Sequence, residues 1–241
     1  MIGCMDQPKI VSDRLSRRGA LGILGALGAA LAGVPAATAP AAAAPAPSCV
    51  LSPAIEEGPF FVDERLNRSD LTGDSTDPGV AGGAPLRLAL TVYALHGGAC
   101  ALLPGAQIDL WHASATGLYS DEAMLHTSGQ RFLRGYQVTD ANGTARFATV
   151  FPGWYPGRTP HVHVKVRTFS PARAVTSTFT SQLYFDDAVT NAVIARAPYN
   201  TRGTRDTTNA RDQIFSSAMV VPLTRSGSGY AGTFNLGLRM G

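Results

Sequence analysis

From residue 86 onward the chain is a succession of short alternating runs separated by turn signals, and nothing beyond residue 45 sustains a long 3.6-residue period. Residues 86–95 ("LRLALTVYAL") stop at His96-Gly97-Gly98, and residues 106–113 ("AQIDLWHA") follow Pro104-Gly105. Residues 131–138 ("RFLRGYQV") lead into Asp140-Ala141-Asn142-Gly143, a strong turn signal, and 144–151 ("TARFATVF") read as the second arm of a hairpin. Residues 161–167 ("HVHVKVR") and 177–185 ("STFTSQLYF") complete about six strands. Residues 186–197 ("DDAVTNAVIARA") read as a short helix with acidic residues at its N-terminus. A strand shows opposite faces at successive residues, so such a chain buries its apolar side chains by stacking two sheets. The expected fold is all-β: a single-domain β-sandwich of Greek-key type, with long loops and one or two short helices. The 241 residues, 45% hydrophobic and 15% charged, suit one core rather than two.

The first residues belong to something else. Residues 16–39 ("SRRGALGILGALGAALAGVPAATA") open with the twin arginines Arg17 and Arg18, continue as a weakly apolar Ala/Gly/Leu run, and end in Ala37-Thr38-Ala39, which fits an A-x-A cleavage site. The run is short and glycine-rich for a membrane span, so residues 1–39 are expected to be a twin-arginine export signal, with an uncleaved anchor as the alternative. The partner implied is the twin-arginine export machinery, and the destination is periplasmic or extracellular. Residues 40–50 read as a Pro/Ala-rich linker and 51–241 as the domain. Without the signal, 16 Lys+Arg face 15 Asp+Glu, a net charge of +1. That near-neutral balance gives no ground for a nucleic-acid partner. Cys4 leaves with the signal, so Cys49 and Cys100 remain as an even pair in an oxidising compartment and are expected to form a disulfide.

Two of only five histidines, His161 and His163, stand on alternate positions of one short run. On a strand they project from the same face, while Val162, Val164 and Val166 project from the other. The pair can hold a metal ion through two imidazoles. It can equally be two polar residues on a solvent face, with Lys165 and Arg167 continuing that face. No glutamate follows Glu122, Asp186, Asp187, Asp206 and Asp212 read as helix-end or loop residues, and His112 is the only other credible histidine ligand. Tyr155, in "PGWYPGR", and Tyr119, closing "DLWHASATGLYS", are the remaining candidates. A phenol is ordinarily a surface or core group. Once a trivalent metal displaces its proton it becomes a hard anionic ligand, and two phenolates with two neutral imidazoles suit Fe(III) better than zinc.

At this point the chain resembles the intradiol ring-cleavage dioxygenases, relatives of catechol and protocatechuate dioxygenases. The resemblance runs in family order through 56–74 ("EEGPFFVDERLNRSDLTGD"), 105–120, 131–166 and 180–185 ("TSQLYF"). It implies Tyr119, Tyr155, His161 and His163 as ligands of a non-haem Fe(III). It also implies a small aromatic diol and O2 as substrates, cleaved between the two hydroxylated carbons to a muconate-type diacid. By family position Tyr155 is the ligand that the diol displaces, taking up a substrate proton as it leaves, and Tyr119 is retained. Arg158 stabilises negative charge on the ring, and Gln182 matches a family glutamine near the site. The chain departs from the catechol type in leaving no room for a long helical N-terminal dimerisation segment. It departs from the two-chain protocatechuate type in the six-residue step from Tyr155 to His161. Substrate identity therefore does not carry over, and a homo-oligomer is compatible with the sequence but not specified by it. The competing readings are a non-catalytic transthyretin-like or carbohydrate-binding β-sandwich and a zinc hydrolase.

Overall fold

The computed structural model of the protein describes residues 50–239 except 74, 76 and 98. The expected export signal, the linker up to residue 49 and Cys49 lie outside the described residues. Nine strands are described: β1 (Pro85–His96), β2 (Ala99–Leu102), β3 (Gln107–Trp111), β4 (Arg134–Val138), β5 (Thr144–Val150), β6 (His161–Phe169), β7 (Val175–Tyr184), β8 (Leu223–Ser226) and β9 (Gly229–Arg239). Two helices accompany them, α1 (Pro78–Ala81) and α2 (Asp187–Ile194). The Asp186 carboxylate caps α2 by accepting from the amides of Ala188 and Val189, as the acidic start of that segment suggested.

The strands form two sheets. In the first, β1 is flanked on one side by β9, in parallel, and on the other by β5 and β2 in succession, while β8 pairs with β9. The second has the antiparallel order β4-β3-β6-β7. Along β1 the even positions Leu86, Leu88, Leu90 and Val92 are fully buried. They face Ile108 and Leu110 of β3 and Val162, Val164 and Val166 of β6 in one continuous core. The all-β sandwich expected from alternation is the fold observed.

One expected pairing is wrong. The turn at 140–143 forms, with Asp140 Oδ1 accepting from the amides of Asn142 and Thr144 and Gly143 at a positive φ of 66°. Its two arms are not a hairpin: β4 pairs with β3 in one sheet and β5 with β1 in the other. The segment is the crossing between sheets. The six expected strands also omit β2, β8 and β9, of which β9 runs against the whole length of β1.

The outer face of the second sheet is not open to solvent. Residues 53–68 run across it from β7 to β4. At one end Ser181 Oγ donates to Pro53 O and the Ile55 amide to Thr180 O. At the other the Arg68 amide donates to Tyr136 O. Beneath this strap Lys165 pairs with Glu57 and lies over the Phe61 ring, and Arg167 is held by Asp63 and Asp109. Every residue from His161 to Val166 is consequently buried, on both faces of β6. The solvent-face alternative for the histidine pair fails on this packing.

Candidate metal centre

Register assembles the site. In the antiparallel second sheet His163 stands opposite Trp111 on one side and Gln182 on the other, and His161 stands opposite Tyr184. Cross-strand partners project from the same face, so Trp111, His163 and Gln182 make one row under the strap and His161 and Tyr184 the next. The Trp111 indole stacks on the His163 imidazole at 4.7 Å between centroids and 9° between planes.

The two tyrosines arrive on loops that touch backbone to backbone. A Cβ at Gly153 would come 2.2 Å from Ser114 O, and one at Gly117, whose φ is +78°, would come 2.4 Å from Trp154 O. Glycine at both positions lets the 112–119 and 151–160 loops press together and aim both phenols at the histidines. Phe60 of the strap stacks on Tyr119, with centroids 4.3 Å apart and planes at 20°. The strap is pinned there by buried Arg134, which donates to Phe60 O and to Ser120 Oγ.

Four donor atoms converge. His161 Nε2 is 3.0 Å from His163 Nε2, and His163 Nε2 is 3.1 Å from the Tyr119 hydroxyl. The Tyr119 and Tyr155 hydroxyls lie 3.4 and 3.3 Å from His161 Nε2. His161 Nδ1 donates to Thr159 O at 2.7 Å, which leaves the Nε2 lone pair directed at the cluster. His163 Nδ1 is buried without a partner among the described residues. Burial holds the His161 pKa down at about 3, and burial with the neighbouring His161 holds His163 well below its usual value, so both rings are neutral. Burial pushes both phenols up, Tyr119 the more strongly.

Among the described residues no group of three or more His, Cys, Asp or Glu is placed to hold a metal ion, so donors beyond the two imidazoles are phenolic. Two neutral nitrogens and two oxygens that ionise only under a strong Lewis acid fit a hard trivalent cation. They do not fit the carboxylate- or thiolate-containing sets of zinc enzymes.

Beside the donors Arg158 is held on two sides. Its Nε donates to Asp212 Oδ2 at 2.9 Å, and Nη2 donates to Gln182 Oε1. Gln182 Nε2 in turn donates to Glu56 O of the strap. The guanidinium borders a cleft of about 450 Å3 lined by Gly58, Pro59, Gln182, Asp212 and Ile214. Hollows of about 540 and 650 Å3 lie elsewhere, the first around Arg87, Ala89 and Arg146 and the second around Arg65, Tyr136 and Arg173, away from Arg158 and Gln182.

A family model described as Dioxygenase matches residues 56–221, which contain every one of these residues. The solved intradiol ring-cleavage dioxygenase from Tetranychus urticae matches with a TM-score of 0.67 at 30% identity, over 79% of this chain and 95% of that one. The chain belongs to the intradiol ring-cleavage dioxygenase family. A further match to this intradiol dioxygenase is the dioxygenase domain of a dioxygenase carbohydrate-binding protein fusion from Streptomyces sp. SirexAA-E, with a TM-score of 0.57 at 31% identity over 80% of this chain and all of that domain (100%). Chlorocatechol 1,2-dioxygenase of Pseudomonas putida is 34% identical over 106 residues, a stretch that spans only 37% of that protein.

All six residues singled out from the sequence, Tyr119, Tyr155, Arg158, His161, His163 and Gln182, meet at this one place. His112 does not. Its Nδ1 donates to Ala113 O and its Nε2 accepts from Thr149 Oγ1, so both ring nitrogens are spent in the interior. Asp212 is not the plain loop residue it resembled, since its side chain is 0% exposed against Arg158. Tyr184, with its hydroxyl 3.0 Å from Gln182 Oε1, was also missed, although it stands two residues beyond Gln182 and thus on the same face. Asp212 carries no such signal.

Proposed function

We propose that the chain is a non-haem Fe(III) dioxygenase that cleaves catechol-type diols between their two hydroxylated carbons, with both atoms of O2 entering a muconate-type diacid. The observation that carries this reading is the convergence of two imidazole nitrogens and two phenol oxygens, each 3.0–3.4 Å from a neighbour, beside a fixed guanidinium. Tyr119, Tyr155, His161 and His163 would hold the iron, which would supply the Lewis acidity to ionise phenols and diol and to make the ring reactive toward O2.

The protein's own groups divide the remaining work. Tyr119 is 1% exposed and stacked under Phe60, whereas Tyr155 is half-buried next to Arg158. Tyr155 is thus the phenol with room to move, and once ionised its oxygen would take a proton from the incoming diol. Arg158 stands at the cleft, fixed by Asp212 and Gln182, a preorganised positive charge for the anion that develops on the ring. Phe60, Phe61 and Trp111 seal the donors from water on the strap side.

Export by the twin-arginine route to the periplasm or beyond is part of the same proposal and rests on Arg17, Arg18 and the A-x-A segment. A non-catalytic binding sandwich has no use for four converging donors. Visible spectroscopy decides between the two. Iron-loaded protein is expected to be burgundy from phenolate-to-Fe(III) charge transfer, to change colour when catechol is added without oxygen, and to form the diacid when O2 is admitted. A colourless iron-loaded protein would sink the reading.

A further inference from the structure

One buried carboxylate takes no part in the chemistry just described. Asp212 sits in the loop after the short 3-10 turn Asn209–Arg211, its side chain fully buried. Both of its oxygens are engaged. Oδ2 accepts from Arg158 Nε at 2.9 Å and from the Thr159 amide at 3.0 Å, and Oδ1 accepts from the Ile214 amide at 3.1 Å. The other end of residue 159 is equally committed, since Thr159 O accepts the Nδ1 proton of His161 at 2.7 Å.

We propose that Asp212 is a positioning residue of this centre: its carboxylate, itself held by the Thr159 and Ile214 amides, aims the Arg158 guanidinium at the cleft. This rests on the functional reading above. Arginine has a long side chain, and an unpaired guanidinium bordering a cleft would sample many rotamers. Here Nε is fixed by a charge and Nη2 by Gln182, so two bonds to different side chains set the plane of the group at the edge of the cleft. The carboxylate is itself immobile because two backbone amides hold it. A buried pair of this kind adds little to stability for its cost in desolvation, yet it specifies one geometry. Other groups facing Arg158 are the neutral Tyr184 hydroxyl at 3.5 Å and Tyr155, so Asp212 is the one carboxylate in contact with it among the described residues.

An amide at this position would present one acceptor and one donor, and the donor would point at N–H groups. Asp212→Asn is therefore expected to release Arg158 while leaving the four metal donors in place. The test is a double-mutant cycle of wild type, Asp212→Asn, Arg158→Ala and the double variant, all loaded with iron, with catechol as the probe. Iron content and the colour of the catechol complex are expected to stay as in wild type throughout. The subsequent reaction with O2 is expected to slow on the order of 10–100-fold for Asp212→Asn alone, and by less than about 2-fold more when added to Arg158→Ala. Melting of the four iron-free chains supplies a readout independent of turnover, and there the two single losses are expected to be non-additive in the same sense. If Asp212→Asn does not fold, Asp212→Glu, which keeps the charge on a longer arm, enters the same cycle. A wild-type chain that leaves catechol and O2 unchanged overturns the functional reading. Normal wild-type turnover with fully additive losses overturns the role of Asp212 alone.

Discussion

Tyr155 and Arg158 are three residues apart, with the Arg158 amide donating to Tyr155 O, yet they are expected to act at different moments. Tyr155→Phe removes a departing base, so binding and deprotonation of the diol should slow, with the visible band shifted and iron retained by Tyr119, His161 and His163. Arg158→Ala spares all four donors, so colour and catechol binding should survive while the reaction with O2 falls by roughly 10²–10³. Stopped-flow mixing sees both steps, and an Arg158→Ala complex that met O2 at the wild-type rate would make the guanidinium structural. His112 belongs to a different account. Burial holds its pKa at about 4, against 6.5 in a free chain. The unfolded chain therefore binds the extra proton first, and the stability that neutral His112 contributes, about 3 kcal/mol, is complete above pH 6.5 and lost as pH falls towards 4. Denaturant unfolding at stepped pH should show a shallower loss for His112→Gln than for wild type, and equal slopes would refute the assignment. In the sequence His112 and His161 look alike as ligands, because what separates them is whether Nε2 meets Thr149 or a ring of donors.

Among the elements, the two loops that carry the tyrosines depend on contacts closer than any side chain allows. Gly153→Ala would push a methyl group into Ser114 O, and backbone on both sides would have to yield. A destabilisation of about 1–3 kcal/mol is expected from such overpacking, together with a displaced Tyr155 and weaker iron retention. Chemical denaturation and iron content measure the two effects, and an unchanged melting curve would show that the loops are not locked at this contact. The histidine strand illustrates how far local pattern reaches. Alternation correctly put His161 and His163 on one face and the valines on the other. It was silent on what covers that face, because the strap that buries it begins more than ninety residues earlier, with Ile55 bonded to Thr180. The same limit explains the misread hairpin: Asn142-Gly143 makes a turn wherever it falls, but whether its arms pair depends on which partner edge each arm packs against.

At the scale of the molecule, Cys100 is disulfide-bonded, while its expected partner Cys49 lies outside the described residues. Cys100→Ser is expected to cost stability on the order of 2–4 kcal/mol with turnover of the folded enzyme unchanged. Thermal unfolding with and without reductant checks this, and a wild-type chain indifferent to reductant would oppose it. The bridge belongs to β2, at the edge of the first sheet, while His161 and His163 stand on the outer face of the second. Stability and chemistry are therefore expected to respond separately to its loss.

What the sequence by itself determined is local or rests on family pattern. Alternating runs with turns between them force a β-sandwich, an i, i+2 histidine pair must share a face, and the motifs around Tyr119, Tyr155 and Arg158 carry the family. What only the tertiary structure decided is relational. It placed β9 along β1, sent β4 and β5 to different sheets, spent His112 on Thr149, and brought Asp212 across 54 residues to Arg158. The physical reason is that a strand's own residues specify which way each side chain points, whereas the identity of the group it meets is fixed by how distant segments share one packed interior.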